Sequence, residues 1–159
     1  MNQNFYRILN DNFNKYSDNI FIEEESGEKW KYIDIKKLTS QFSTFLKDLG
    51  LKKGSRIIVQ AEKSVHSVAL YLSCLKKGII YIPLNTAYTS NEMKYFINNV
   101  EPELIFLSIN KFDEHKDLVI DFPNIKTFIL DAENTEFIDE ISELKEDNNI
   151  EELGANDIA

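Results

Sequence analysis

Residues 54–105 read GSRIIVQAEKSVHSVALYLSCLKKGIIYIPLNTAYTSNEMKYFINNVEPELI, and the rhythm of this stretch decides the fold. RIIVQA at 56–61 is a short apolar run rich in β-branched residues, the pattern of a strand buried on both faces. Ser64 then opens a helix whose apolar positions Val65, Val68, Ala69, Leu72 and Leu75 share one face, and Gly78 closes it. IIYIP at 79–83 is a second strand. Thr89 and Glu92 form a Thr-x-x-Glu capping box ahead of a helix carrying Met93, Phe96, Ile97 and Val100, which Pro102 stops. Short apolar strands alternating with capped helices predict a parallel sheet covered by helices and joined by right-handed crossovers.

Working outward, 104–108 reads as a third buried strand, 112–119 as a weaker helix and 127–130 as a fourth strand. Upstream, Phe5, Ile8, Leu9 and Phe13 recur at helical spacing, and 19–24 and 29–33 flank the turn residues Ser26 and Gly27 as a hairpin. Asp34 is placed to cap a helix with Leu38, Phe42, Phe45, Leu46 and Leu49 on one face. Gly50 ends it in the left-handed conformation, with Leu51 folding back as the apolar contact. The fold class is therefore α/β: an amino-terminal helix and hairpin followed by a βαβαβαβ parallel sheet. Residues 1–131 form this unit, and 132–159 form an acidic helix, anchored by Ile138, Ile141, Leu144 and Leu153, with a linker-like tail.

The chain has 159 residues, 43% of them hydrophobic, enough for one packed domain or one subdomain of a larger chain. Its net charge of −9 and only two arginines, Arg7 and Arg56, lack the basic footprint of a nucleic-acid binder. The five glycines, at 27, 50, 54, 78 and 154, make neither a dinucleotide fingerprint nor a phosphate-binding loop. A lone Cys74 with only His66 and His115 beside it in composition supplies neither a disulfide nor a standard zinc site, which suits a reducing, cytoplasmic setting. The amino terminus has no secretory pattern, and the longest apolar run, 79–84, is far short of the ~18 residues a membrane span needs.

Ligands of open parallel sheets collect beyond the carboxyl ends of the strands. Those positions here are Glu62, Lys63 and Ser64, then Leu84, Asn85 and Thr86, then Ser108. Lys63 and Asn85 are the substrate-binding candidates, on strand-end position alone. The bland reading makes Ser64 a helix cap, Lys63 a solvated cation and Asn85 a loop former. His66 and Cys74 lie eight residues apart on one helix, about 12 Å along its axis, too far for a nucleophile and its base. His66 reads as a first-turn surface residue and Cys74 as a small core residue.

Beyond this, 54–105 resembles the amino-terminal part of the AMP-forming acyl-CoA synthetases, the adenylate-forming superfamily. VQAEKS, ALYLSCLKKG and YIPLNTAYT followed by E..YF are most similar to its malonyl-CoA synthetase branch. FIEEESGEKWKYIDIKKLTSQFSTFLKDLGLKKG at 21–54 fits the family's hairpin, helix and turn. The resemblance implies a two-step ligase. A carboxylate, malonate or a close dicarboxylate, attacks the α-phosphate of ATP held with Mg2+, and coenzyme A then displaces AMP to give a thioester. It also implies that a Ser/Thr/Gly-rich phosphate loop with its lysine belongs just after a stretch like 150–159. None of the family's catalytic residues has a matching position, so the chain is expected to be an inactive fragment of such a ligase. The alternative is a stand-alone, non-catalytic binding or interaction module on that scaffold.

Overall fold

The computed structural model describes residues 2–131 and 135–158. In chain order they form α1 (Tyr6–Lys15), β1 (Ile20–Glu23), β2 (Lys29–Lys31), α2 (Tyr32–Asp48), β3 (Arg56–Gln60), α3 (Val65–Lys77), β4 (Ile80–Pro83), α4 (Ser90–Val100), β5 (Leu104–Leu107), α5 (Ile109–Asp121), β6 (Lys126–Ile129) and α6 (Thr135–Glu143). The expected helix, hairpin and βαβαβαβ series are present: β1 and β2 pair antiparallel, and the other four strands form one parallel sheet. The sheet order is β4-β3-β5-β6, so β3 and β5 are central and β4 is an edge.

Alternation along the central strands sorts the core into two layers. Ile57, Val59, Leu104 and Phe106 face α2, α3 and α6 through Phe42, Phe45, Leu70, Cys74, Phe137 and Ile141. Ile58, Ile105 and Leu107 face α4 and α5 through Met93, Ile97 and Leu118. Both faces are covered, which is why these strands are apolar without interruption. A third cluster joins α1 and the hairpin to α2 and α3 through Tyr6, Phe13, Ile35, Val65 and Leu72.

The stops and starts follow local chemistry. Gly50, at φ +88°, ends α2 with Gly50 N–H on the Lys47 carbonyl and Leu51 N–H on the Leu46 carbonyl, the paired bonds of a glycine C-cap. Gly78, at φ +64°, does the same for α3. The Thr89–Glu92 capping box forms, with the Glu92 carboxylate 2.8 Å from Thr89 N.

Several details differ from the sequence reading. Phe5 and Ile8 are exposed, at 54% and 61%, whereas Tyr6 and Phe13 are buried, because α1 is rotated to put its aromatic face against α2 and the hairpin. α2 begins at Tyr32, which draws Ile33 out of the strand. Asp34 is the third helical residue rather than the cap, and its carboxylate reaches back to Lys31 N at 2.9 Å. His66 is not on the surface: it is 8% exposed, edge-on to the Trp30 ring, because the hairpin folds over the start of α3. Residues after α6 have no regular structure, yet they lie against the domain, where Leu153 is buried over Gly78. The expected division at 131/132 falls beside residues 132–134, outside the described residues.

Candidate functional site at the carboxyl end of the sheet

β3 and β4 end side by side, and the residues after them wall an open depression of about 510 Å³. Lys63 and Asn85 both line it, together with Glu62, Ser67, Tyr81 and Thr86. The two candidates from different loops are thus brought to one place by parallel pairing of the strands they follow, Val59 opposite Pro83. Lys63 is exposed and has no ion pair among the described residues. The Asn85 side chain shapes its own loop, since Oδ1 accepts from Ala87 N at 2.8 Å. Its amide nitrogen has no protein partner among the described residues. The depression is therefore flanked by two hydrogen-bond donors, one of them cationic, a combination suited to a carboxylate or phosphate oxygen.

Ser64 is a helix cap, as the bland reading had it: its hydroxyl accepts from Ser67 N at 3.1 Å. Ser108 is buried at the start of α5 and stands outside the depression.

Beneath Asn85 lies a polar network that sequence reasoning missed. Gln60, the last residue of β3 and fully buried, donates from Nε2 to the carbonyls of Asn85 and Tyr88, each at 2.9 Å. Its Oε1 faces Nε2 of His115, itself 1% exposed, at 2.8 Å. With both amide hydrogens spent on carbonyls, Gln60 can only accept from the ring, which assigns the His115 proton to Nε2. Nδ1 then accepts from the Ser90 hydroxyl at 2.8 Å. Burial pushes the His115 pKa below its ordinary value, against the pull of Glu114, so the neutral ring is the stable form. Lys111 adds a contact to the Tyr88 carbonyl at 3.3 Å and pairs with Glu114 at 2.5 Å. The loop from Asn85 to Ser90 is thereby held from below by β3 and α5. The only sequence signal was a glutamine at the inner end of a buried strand, and nothing in its spacing pointed 55 residues downstream to His115.

Among the described residues no three His, Cys, Asp or Glu side chains converge as an ion site. The depression offers the Lys63 and Asn85 donors beside the Glu62 carboxylate, and no metal-ligand cluster among the described residues. No described helix is long and apolar enough to cross a membrane.

A parallel α/β layer takes its ligands beyond the carboxyl ends of its strands, where this depression lies. The model of the AMP-binding enzymes matches residues 9–159, nearly the whole chain, and the chain belongs to that family. Its fold superimposes on ATP-bound MatB from Rhodopseudomonas palustris with a TM-score of 0.87 at 29% identity, covering 99% of this chain and 31% of that one. A benzoate CoA ligase from Burkholderia xenovorans has the same fold, with a TM-score of 0.85 at 15% identity. In sequence, the chain is 35% identical over 81 residues to the uncharacterized acyl-CoA ligase YtcI of Bacillus subtilis, covering 50% of this chain and 15% of the relative. The 159 residues thus span about a third or less of these proteins and match part of the adenylate-forming amino-terminal domain.

Proposed function

We propose that this chain is the amino-terminal portion of an ATP-dependent carboxylate–CoA ligase that acts on malonate or a close dicarboxylate. The observation that carries this reading is the match of 99% of the chain, at 29% identity, to a third of MatB, a malonyl-CoA synthetase. The VQAEKS and YIPLNTAYT segments support the same branch. In the reaction, the carboxylate attacks the α-phosphate of ATP, forming an acyl-adenylate as pyrophosphate leaves. The thiolate of coenzyme A then attacks the acyl carbon and AMP departs.

Within this chain, Lys63 and Asn85 bind substrate. Both present donors to the depression, and their role is to hold an anionic oxygen at the sheet's carboxyl end rather than to break a bond. Magnesium and the catalytic groups belong, on this reading, to the part of the ligase beyond these residues, since none of the family's catalytic residues has a matching position here. Stabilising the charge that develops at the α-phosphate during adenylyl transfer needs such groups. The 159-residue chain by itself is therefore inactive.

The test is exchange of labelled pyrophosphate into ATP, run on the 159-residue chain and on the ligase encoded by the complete reading frame. The longer protein is expected to exchange with malonate in preference to acetate or benzoate, and the short chain not at all. Preference for a monocarboxylate would refute the malonate assignment. Exchange by the short chain above a contaminant control would refute its incompleteness. In the complete ligase, Lys63→Ala and Asn85→Ala are expected to raise KM more than they lower kcat.

A further inference from the structure

The residues after α6 cross the amino-terminal end of the sheet and are tied there by backbone and side chain. The Lys76 carbonyl accepts from Glu151 N at 2.9 Å and from Asn4 Nδ2 at 3.2 Å. Asn4 Nδ2 also reaches the Glu151 carbonyl at 3.0 Å. Gln3 N donates to the Leu153 carbonyl at 2.8 Å, and Leu153 N to Asn2 Oδ1 at 3.1 Å. Leu153, 5% exposed, closes over Gly78.

One group in this seat works against it. Lys76 is 2% exposed, and its ammonium donates to Ser40 Oγ at 2.9 Å and to the Asp147 carbonyl, 5.6 Å from the centre of the Tyr6 ring. Both acceptors are neutral. The Asp147 carboxylate is bonded to Lys77 at 3.0 Å instead. The other charges bearing on Lys76 are Lys36 from α2 and Lys77 from its own helix, which oppose it, and Asp147 and Glu146 from the crossing segment, which favour it. A cation withdrawn from water without an ion partner of its own is costly, because neutral acceptors replace only part of its hydration.

We infer that residues 145–153 are a releasable strap whose seating is opposed by the buried charge of Lys76, so that the strap opens as a unit while the parallel sheet stays folded. Backbone bonds, Asn4, Leu153 and the Lys77–Asp147 ion pair hold it closed, and the Lys76 ammonium regains water when it opens. Such local opening, below the free energy of global unfolding, is common for irregular segments at a domain surface.

The pH dependence follows in sign. In the seated strap burial brings the Lys76 pKa down to about 8, whereas a solvated lysine titrates near ~10.4. Between those values the open form binds more protons than the seated one, so raising the pH across this window favours seating. Below pH 8 both forms are protonated and Lys76 adds no pH dependence.

Amide hydrogen exchange on the 159-residue chain, corrected for intrinsic rates, tests this. In the wild type the Glu151 and Leu153 amides are expected to exchange by an opening that leaves β3 and β5 protected. Lys76→Met keeps the length and removes the charge, and should raise protection of those two amides about tenfold with β3 and β5 unchanged. It should also abolish the rise in their protection between pH 8 and 10. Asn4→Ala should lower the same protection. If Lys76→Met lowers it, or if the wild-type strap exchanges only together with β3, the inference is wrong. Should Lys76→Met fail to fold, the Nζ resonance of wild-type Lys76 decides: titration near pH 8 in step with the Leu153 amide upholds the strap, and titration near 10.4 overturns it.

Discussion

The two ends of the parallel sheet are built in opposite ways. At the carboxyl end the surface is open: Lys63 and Asn85 stand over a depression of about 510 Å³, and the order lies underneath, in the Gln60–His115–Ser90 network. At the amino end the surface is closed: a strap lies over Gly78, and the strained element is a buried ammonium with neutral acceptors. The first end places exchangeable donors on a rigid base. The second encloses the polar group itself, and the cost of its desolvation falls on the contact that encloses it. Rigidity at one end and releasability at the other thus come from where each buried polar group finds its partners.

Gln60→Leu is the strongest way to break the contrast. It strands the His115 Nε2–H and removes the donor to two loop carbonyls, and should destabilise the chain by about 3 kcal/mol, read as a lower urea midpoint. Exchange at Ala87 and Tyr88 should quicken while the strap is untouched. Gly78→Ala strikes the other end. A Cβ there would lie 2.7 Å from Leu153 Cδ2, and φ +64° is unfavourable for alanine. A loss of about 2 kcal/mol is expected, with faster exchange at Leu153 and none of the loop change. If either variant loosened both ends equally, the two would not be independent.

Acid separates the ends more gently. Burial keeps His115 and His66 below the ordinary histidine value, so both are neutral when folded. As the pH falls below about 6.5 the unfolded chain takes up protons that the folded chain does not, and stability declines. His115→Gln should remove part of that decline in urea midpoints measured at pH 7 and 5.5, whereas Lys76→Met should not alter it. The smallest effect is at the exposed rim. Lys63→Ala should change stability by less than about 0.5 kcal/mol, since its side chain is solvated. A larger loss would mean that Lys63 holds the loop rather than the substrate.

What could be read in advance divides along the same line. The strands at 56–60, 80–83, 104–107 and 126–129 were legible because burial on both faces demands unbroken apolar runs. Glycine and Thr-x-x-Glu punctuation gave the helix limits. The meeting of Lys63 and Asn85 was legible too, because parallel strands bring their carboxyl ends together. The network below them was not. Gln60 looked like the end of a strand and His115 like one residue of a weak helix, and their contact depends on α5 covering the sheet face at the carboxyl end of central β3. His66 was misplaced for a related reason, since the hairpin that covers it is packed by tertiary contacts that helix position does not reveal. In the same way Phe5 and Ile8 kept helical spacing but lost the core to Tyr6 and Phe13.

The amino-acid sequence by itself determined the α/β class, the order of elements and the AMP-binding resemblance, because apolar period, caps and glycine turns act within a few residues. Only the tertiary structure decided the sheet order β4-β3-β5-β6, the neutral His115 under the loop and the burial of Lys76 beneath residues 145–153. Each of these depends on which groups lose water to distant neighbours, and desolvation is a property of the packed whole.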